Sequence, residues 1–137
     1  MKQTTKVIVS AVLIITTLLC IVSCNKIDAE GIWETATYRK DVTVGEGSKE
    51  VKVDIVVDEE FITITVKTDE KKLGDALYAE GIINDASFFD TANGMKADWN
   101  KDKVYWAFYE GEEYMLVGAN DVEISGGEHY RFVYEKG

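Results

Sequence analysis

The chain has 137 residues and a formal net charge of −10, with 25 acidic residues against 15 basic ones. This length allows one folded domain, and the acidic balance argues against binding of nucleic acid or of anionic lipid. Both cysteines, Cys20 and Cys24, precede the aromatic-rich part of the chain. No cysteine follows Cys24, so no disulfide can form within the aromatic-rich part, which must depend on its apolar core.

The N-terminus has the features of an export signal. Lys2 and Lys6 precede an uncharged run over 7–23 that is rich in Val, Ile, Leu and Thr, which is the order of a basic and then an apolar region. The run ends in Ile-Val-Ser-Cys at 21–24, and this tetrapeptide resembles the lipobox of bacterial lipoproteins. The resemblance implies that Cys24 receives a diacylglycerol, that the leader is removed and that the new amino terminus is acylated. Two or three acyl chains hold a protein durably at a membrane.

An uncleaved signal anchor is the alternative for this segment, because the uncharged run approaches the length of a membrane span. The lipoprotein interpretation predicts a signal peptide over 1–23, an acylated N-terminus and linker over 24–30, and a folded domain over 31–137. It also predicts a lipid-anchored protein of the outer membrane. The segment 25–30 is similar to the surface-export signal of one phylum of Gram-negative anaerobes, so the cell surface and the periplasmic face both stay open.

Short strands are predicted over most of the domain. The clearest pair is 49–57 and 60–67, where apolar and polar residues alternate around an acidic turn, as in a half-buried hairpin. Residues 73–79 fit either a helix or the start of a strand, and the glycines around them favour a strand over 76–84. Asn93-Gly94 indicates a tight turn. Further strands are predicted over 31–40, 95–99, 103–110, 113–118 and 128–135.

This rhythm predicts an all-β fold, an antiparallel meander that closes into a small barrel of eight or nine strands. Closure would remove the unpaired strand edges. Gly31-Ile32-Trp33, at the start of the first predicted strand, looks like the Gly-x-Trp signature of lipocalins and their bacterial relatives. The resemblance implies that Trp33 plugs the closed end of the barrel and that Arg131, from the last strand, lies across its ring. A guanidinium over an indole is stabilised by a cation–π interaction.

A lipocalin-like barrel of this size holds one small ligand. Four aromatic residues of the late strands are therefore candidates for lining the ligand site, with core packing as the alternative. They are Trp106, Phe108, Tyr130 and Phe132.

The sequence predicts no catalytic residue, no metal site and no cofactor. His129 follows a glycine turn without any serine–histidine spacing, and the domain has no His/Cys set for zinc. Residues 98–102 copy the first half of a calcium loop, but Lys103 and Tyr109 stand where glycine and glutamate are needed. Asp-Thr-Ala at 90–92 resembles an O-glycan acceptor of the same anaerobic phylum, which implies a sugar on Thr91.

Two functions follow as hypotheses. In the first, a lipid-anchored barrel binds a small apolar or amphipathic ligand without catalysis. In the second, the domain has a solid core and binds a protein or glycan partner of the cell envelope through exposed aromatic and acidic side chains. An enzyme that uses acidic residues is a distant third. An open apolar cavity favours the first hypothesis, and a filled interior favours the second.

Overall fold

The computed structural model describes residues 26–137, so the predicted signal peptide and Cys24 lie outside the described residues. None of the helices in that range is long and apolar enough to cross a membrane. In chain order the elements are a 3-10 helix (Gly31–Thr35), β1 (Val42–Gly45), β2 (Lys49–Val57), β3 (Glu60–Thr68), α1 (Leu73–Ala79), β4 (Thr91–Ala92), β5 (Met95–Lys96), α2 (Trp99–Asp102), β6 (Val104–Glu110), β7 (Glu113–Tyr114), a second 3-10 helix (Ala119–Asp121) and β8 (His129–Lys136).

Six strands form one curled sheet, a half-barrel, in the order β1-β3-β2-β8-β6-β7. The prediction of a mostly β domain is confirmed. The predicted closed antiparallel meander is wrong for residues 26–137, because β1 and β7 are free edges and the sheet is mixed. β8 runs parallel to β2 and antiparallel to β6, and β1 runs parallel to β3. The C-terminal strand therefore lies inside the sheet instead of closing it.

The hairpin of β2 and β3 is confirmed in position, and its register places Val53 opposite Ile64 and Ile55 opposite Ile62. Each of these four side chains is fully buried or nearly so, whereas Lys52, the residue before Val53, is exposed. A period of two places every second side chain on the core face. The turn at Asp58-Glu59 closes the hairpin, which explains why this pattern could be interpreted from the sequence.

Two predicted strands are not strands. Residues 31–40 form the first 3-10 helix and an irregular stretch, and Gly31 has φ +59, which is outside the strand region. The predicted strand over 76–84 is wrong: residues 73–79 form α1 and residues 80–84 are irregular. The helix forms because Leu73, Ala76 and Leu77 are buried together at helical spacing. Gly74 does not prevent the helix: it lets α1 approach the carbonyl oxygen of Ala86 so closely that a Cβ would collide with it.

The tight turn at Asn93-Gly94 is confirmed. It joins β4 to β5, and the two residues have φ +53 and +77, which Asn and Gly tolerate best. The predicted strand over 95–99 ends at Lys96, because Asp98 begins α2 by accepting a hydrogen bond of 3.1 Å from the backbone N–H of Lys101.

The core lies on the concave face of the sheet. β2, β3, β6 and β8 supply its floor, and α1 with the segments around Ile82, Met95 and Val122 covers most of it. The convex face carries polar and charged side chains such as Lys52 and Asp54. One covered face and one solvated face are common for a sheet with antiparallel pairs. The fold is therefore a half-barrel with a solid interior.

Candidate functional site

An open apolar cleft of about 660 Å³ lies at the β6–β7 end of the concave face, where the cover over the sheet is incomplete. Its volume is in the range of small-molecule sites. The floor comes from β6, one wall from the loop before β4, the other wall from the segment after β7, and one end from α2. The lining residues are Asn84, Asp85, Ser87, Phe88, Phe89, Asp90, Ala97, Trp99, Val104, Tyr105, Trp106, Phe108, Tyr114, Met115, Leu116, Val117, Gly118 and Ala119.

Trp106 and Phe108 form the floor and are held firmly. The Trp106 indole Nε1 donates a 3.0 Å hydrogen bond to the carbonyl oxygen of Met95, so its ring cannot rotate freely. The Phe108 ring packs against Phe132 and Tyr130 of β8, with centroids 5.5 and 5.8 Å away. Each floor residue keeps about 8% of its surface exposed. The floor is therefore the solvent-facing edge of the aromatic core.

The first wall is a loop fixed by its own carboxylates. Asp85 Oδ1 accepts hydrogen bonds from the backbone N–H groups of Ser87 at 2.8 Å and Phe88 at 3.1 Å. These bonds lower the pKa of the Asp85 carboxyl below its usual value. The turn directs Phe89 inward onto Phe132, with ring centroids 4.8 Å apart, and leaves Phe88 93% exposed at the rim.

The second wall follows β7 and has no regular structure. The backbone N–H of Met115 donates to the carbonyl oxygen of Phe108 at 2.9 Å, which anchors this wall to the floor strand. Leu116 and Val117 come next and are 91% and 48% exposed. A Cβ at Gly118 would lie 3.1 Å from the Ser87 carbonyl oxygen, so the two walls approach each other there.

The end of the cleft is formed by Trp99 on α2. Its ring meets Tyr105 edge-on at a centroid distance of 6.2 Å, and the ammonium nitrogen of Lys103 lies 5.3 Å from the ring centroid. Trp99 is 49% exposed. About half of the Trp99 surface is thus available to a molecule in the cleft.

The exposed apolar residues are concentrated in this one place. Seven large hydrophobic residues in the described part of the chain are exposed, and only Phe61 and Tyr78 lie elsewhere. Single exposed apolar residues are ordinary, whereas a contiguous group marks a binding surface. The five that line the cleft are Phe88, Trp99, Tyr114, Leu116 and Val117.

The four predicted ligand-lining residues divide into two pairs. Trp106 and Phe108 lie in the floor of the cleft. Tyr130 and Phe132 are fully buried behind them and do not line it. Their side chains point to the concave face, where the rings of Phe89 and Phe108 pack against them, so they are core residues. Burial raises the pKa of the Tyr130 hydroxyl far above its usual value.

The predicted stacking of Arg131 on Trp33 is not formed. Arg131 lies between Tyr130 and Phe132 on β8, so the alternation of the strand turns it to the convex face. There its guanidinium lies 5.6 Å from the ring centroid of Tyr109, its partner on β6. Trp33 packs in the core with 3% of its surface exposed, and Gly31 allows the turn into its helix.

His129 lies on the convex face, away from the cleft. Its Nε2 is 2.8 Å from Asp54 Oδ1, and the Thr63 hydroxyl donates to the same oxygen at 2.7 Å. In a nucleophilic relay the hydroxyl would donate to the imidazole. Here both groups bond to one carboxylate oxygen instead, so the three side chains link the neighbouring strands β8, β2 and β3.

Residues 26–137 bring together no group of three or more side chains suited to hold a metal ion. The calcium-like segment 98–102 is short helix, with Asp98 used as its cap. Thr91 is half-buried, and its hydroxyl donates to Asp90 Oδ1 at 2.9 Å. The predicted sugar on Thr91 stays a prediction.

The walls of the cleft were missed from sequence because they do not alternate. Phe88-Phe89 and Met115-Leu116-Val117 are apolar runs in short segments next to turns. The predicted strand over 113–118 would have paired these residues with a neighbour. Since β7 ends at Tyr114, the run after it is free to form a wall. Such runs outside regular elements are the one signal that could have located the cleft.

No protein-family model and no curated protein matches this chain. Among solved structures, it is similar to a proposed metal-binding protein from Ruminococcus gnavus ATCC 29149, with a TM-score of 0.60 and 23% identity, covering 66% of this chain and 99% of that one. At this identity the likeness supports a shared fold only. Haptocorrin in complex with Cbi is more distant, with a TM-score of 0.45 and 20% identity, covering 68% of this chain and 26% of that one.

Proposed function

We propose that this protein is a lipid-anchored protein of the bacterial outer membrane whose half-barrel binds a small apolar or amphipathic ligand in the cleft beside β6, without catalysis. The observation that carries the proposal is the grouping of five of the seven exposed large hydrophobic residues around one cleft. The anchor rests on the lipobox-like residues that end at Cys24.

The cleft suits an apolar ligand because its floor cannot close. Trp106 is hydrogen-bonded to Met95 and Phe108 is packed on β8, so neither ring can collapse outward to cover Phe88 or Leu116. Each Å² of apolar surface removed from water contributes about 25 cal/mol. When a ligand fills the cleft, apolar surface of both the ligand and the protein is removed from water, and both contribute to the binding free energy. The rigid floor limits the entropy lost on binding.

Ligand binding is tested by native mass spectrometry of the protein purified from its own host. We expect a co-purifying small molecule that organic solvent removes. A variant with Phe88→Ser and Leu116→Ser should lose that molecule, while a matched variant with Phe61→Ser, at an exposed apolar residue on the convex face, should keep it. If both variants retained the same amount of the small molecule, the cleft would not be its binding site.

The anchor is tested separately by the mass of the processed protein. The parent protein should carry acyl chains on Cys24 and should stay in the membrane fraction. Cys24→Ala should remain unacylated and uncleaved, while Cys20→Ala is the matched control that should mature normally. Normal maturation and retention of the Cys24→Ala variant would overturn the anchor without affecting the cleft.

A protein or glycan partner is the second candidate, and two observations favour it: the interior of the half-barrel is solid, and the rim of the cleft is exposed. Phe88 and Leu116 are each more than 90% exposed and stand at the rim, where an opposing surface could cover them. A photo-crosslinker at position 88 would identify such a partner. The partner must then bind the purified domain directly and lose binding to Leu116→Ser.

A further inference from the structure

Charge in the cleft has one sign. Among the eighteen residues that line it, the two that carry charge are Asp85 and Asp90, and none is Lys, Arg or His. Both carboxylates lie on the first wall, on either side of Phe88 and Phe89 in the chain. An anionic ligand would meet two negative groups there, with no lining cation to compensate for them.

These carboxylates keep capacity for a ligand. Asp85 Oδ1 accepts its bonds from Ser87 and Phe88, and Asp90 Oδ1 accepts from the Asn84 amide and the Thr91 hydroxyl, both at 2.9 Å. All of these side-chain bonds fall on Oδ1, so within the described chain Oδ2 of each residue is left to solvent or to a ligand. The bonds to Oδ1 also fix the positions of the two charges.

The charges beyond the lining are mixed. The hollow next to Trp99 adds Asp98 with Lys96 and Lys101, and Lys103 already lies over the Trp99 ring at 5.3 Å. Those lysines do not line the cleft itself. The contact of Lys103 with Trp99 is an internal example of an ammonium on an aromatic face of this site.

Building on the proposed function, we propose that the ligand is a cation with an apolar body. The positive group lies beside Asp85 and Asp90, and the apolar body covers Trp106 and Phe108. The two carboxylates attract the positive group, and this attraction grows when water is excluded. The same cleft binds a ligand of equal shape that carries a carboxylate or phosphate more weakly.

The proposal is tested with three probes that share one body and differ in charge: phenylbutylamine, phenylbutanol and phenylbutyrate. Binding is followed by the NMR signals of the Trp99 and Trp106 indole N–H groups, with Trp33 as an internal reference in the core. We expect phenylbutylamine to bind about tenfold or more tightly than phenylbutyrate, with phenylbutanol between them, since each 1.4 kcal/mol is a factor of ten. Salt should reduce this preference.

Two matched variants assign the preference to these residues. Asp85→Asn with Asp90→Asn keeps an oxygen at Oδ1 for the loop and removes both charges, so the three probes should bind within about twofold of one another. Glu59→Gln with Asp75→Asn removes the same total charge from exposed positions outside the cleft and should preserve the preference. A preference that survives the first variant overturns the role of Asp85 and Asp90.

The outcomes separate the two proposals. If phenylbutyrate binds as tightly as phenylbutylamine, the cationic ligand is overturned and the apolar cleft stands. If none of the three probes binds to the folded protein, the proposed small-ligand function itself is overturned, and the cationic preference with it.

Discussion

The core behind β8 and the cleft in front of β6 are built from the same kinds of apolar side chain, but they differ in exposure to solvent. Phe132 is fully buried, whereas Phe88 is 93% exposed. Phe89 connects the two regions, since it lines the cleft and packs on Phe132 at 4.8 Å. In the core, α1 and its loops complete the cover, and at the cleft the cover stops. Apolar composition alone therefore does not distinguish a core from a binding surface. What distinguishes them is whether other segments of the chain cover the apolar side chains.

The core side of this comparison should give the largest effect. Phe132→Ala removes a fully buried ring that contacts Phe89 and Phe108, and we expect a loss of about 3–5 kcal/mol in the free energy of unfolding. Urea denaturation measures it. If the free energy of unfolding fell no more than it does for an ordinary surface substitution, Phe132 would not be part of a closed core.

The turn that holds the cover in place should give the next effect. Asn93 is buried, and its side-chain amide bonds the backbone of Tyr38 at 2.8 and 3.0 Å. Asn93→Gly keeps the turn conformation and leaves those groups unpaired, which costs about 1–3 kcal/mol. Asn93→Ala adds the left-handed strain of a side chain at φ +53, about 1–2 kcal/mol more. Equal stability of the two variants would contradict the strained turn.

The buried hydroxyl of Tyr130 should make the core sensitive to alkali. Its folded pKa is raised above the ordinary value of 10.0 by burial and by nearby Glu128 and Glu110, so the fold favours the protonated form. This contribution is fully present below pH 10 and is lost as the pH rises from there through the folded pKa. Unfolding curves at rising pH should show the loss, and Tyr130→Phe should flatten this dependence. An unchanged slope in that variant would assign the effect elsewhere.

The cleft side should show almost no effect on stability. Leu116→Ser or Phe88→Ser changes a side chain that is more than 90% exposed, so the free energy of unfolding should stay within about 0.5 kcal/mol. The same variants should weaken ligand binding. A large loss in the free energy of unfolding would mean that the rim is part of the core and is not a separate binding surface.

The strands with clean alternation were predictable, and the cover over them was not. β2, β3 and β8 lie where the alternation placed them, because one buried face imposes a period of two. β6 lies where its continuous apolar run placed it. Strand order could not be inferred: nothing local tells β8 to lie beside β2. Residues 73–79 were ambiguous because burial against the core outweighs the helix cost of Gly74. Trp106 and Phe108 were identified as candidates, but the walls of the cleft needed the tertiary structure.

The central place of β8 has a consequence for folding. β2 and β6 have no shared neighbour until β8 is available, although β8 follows them both in the chain. A nascent chain that lacks it presents two unpaired strand edges, which are prone to aggregate. Cooperative folding is therefore delayed until β8 (His129–Lys136) is available to pair with both strands, and any cellular factor that shields strand edges would act in that interval.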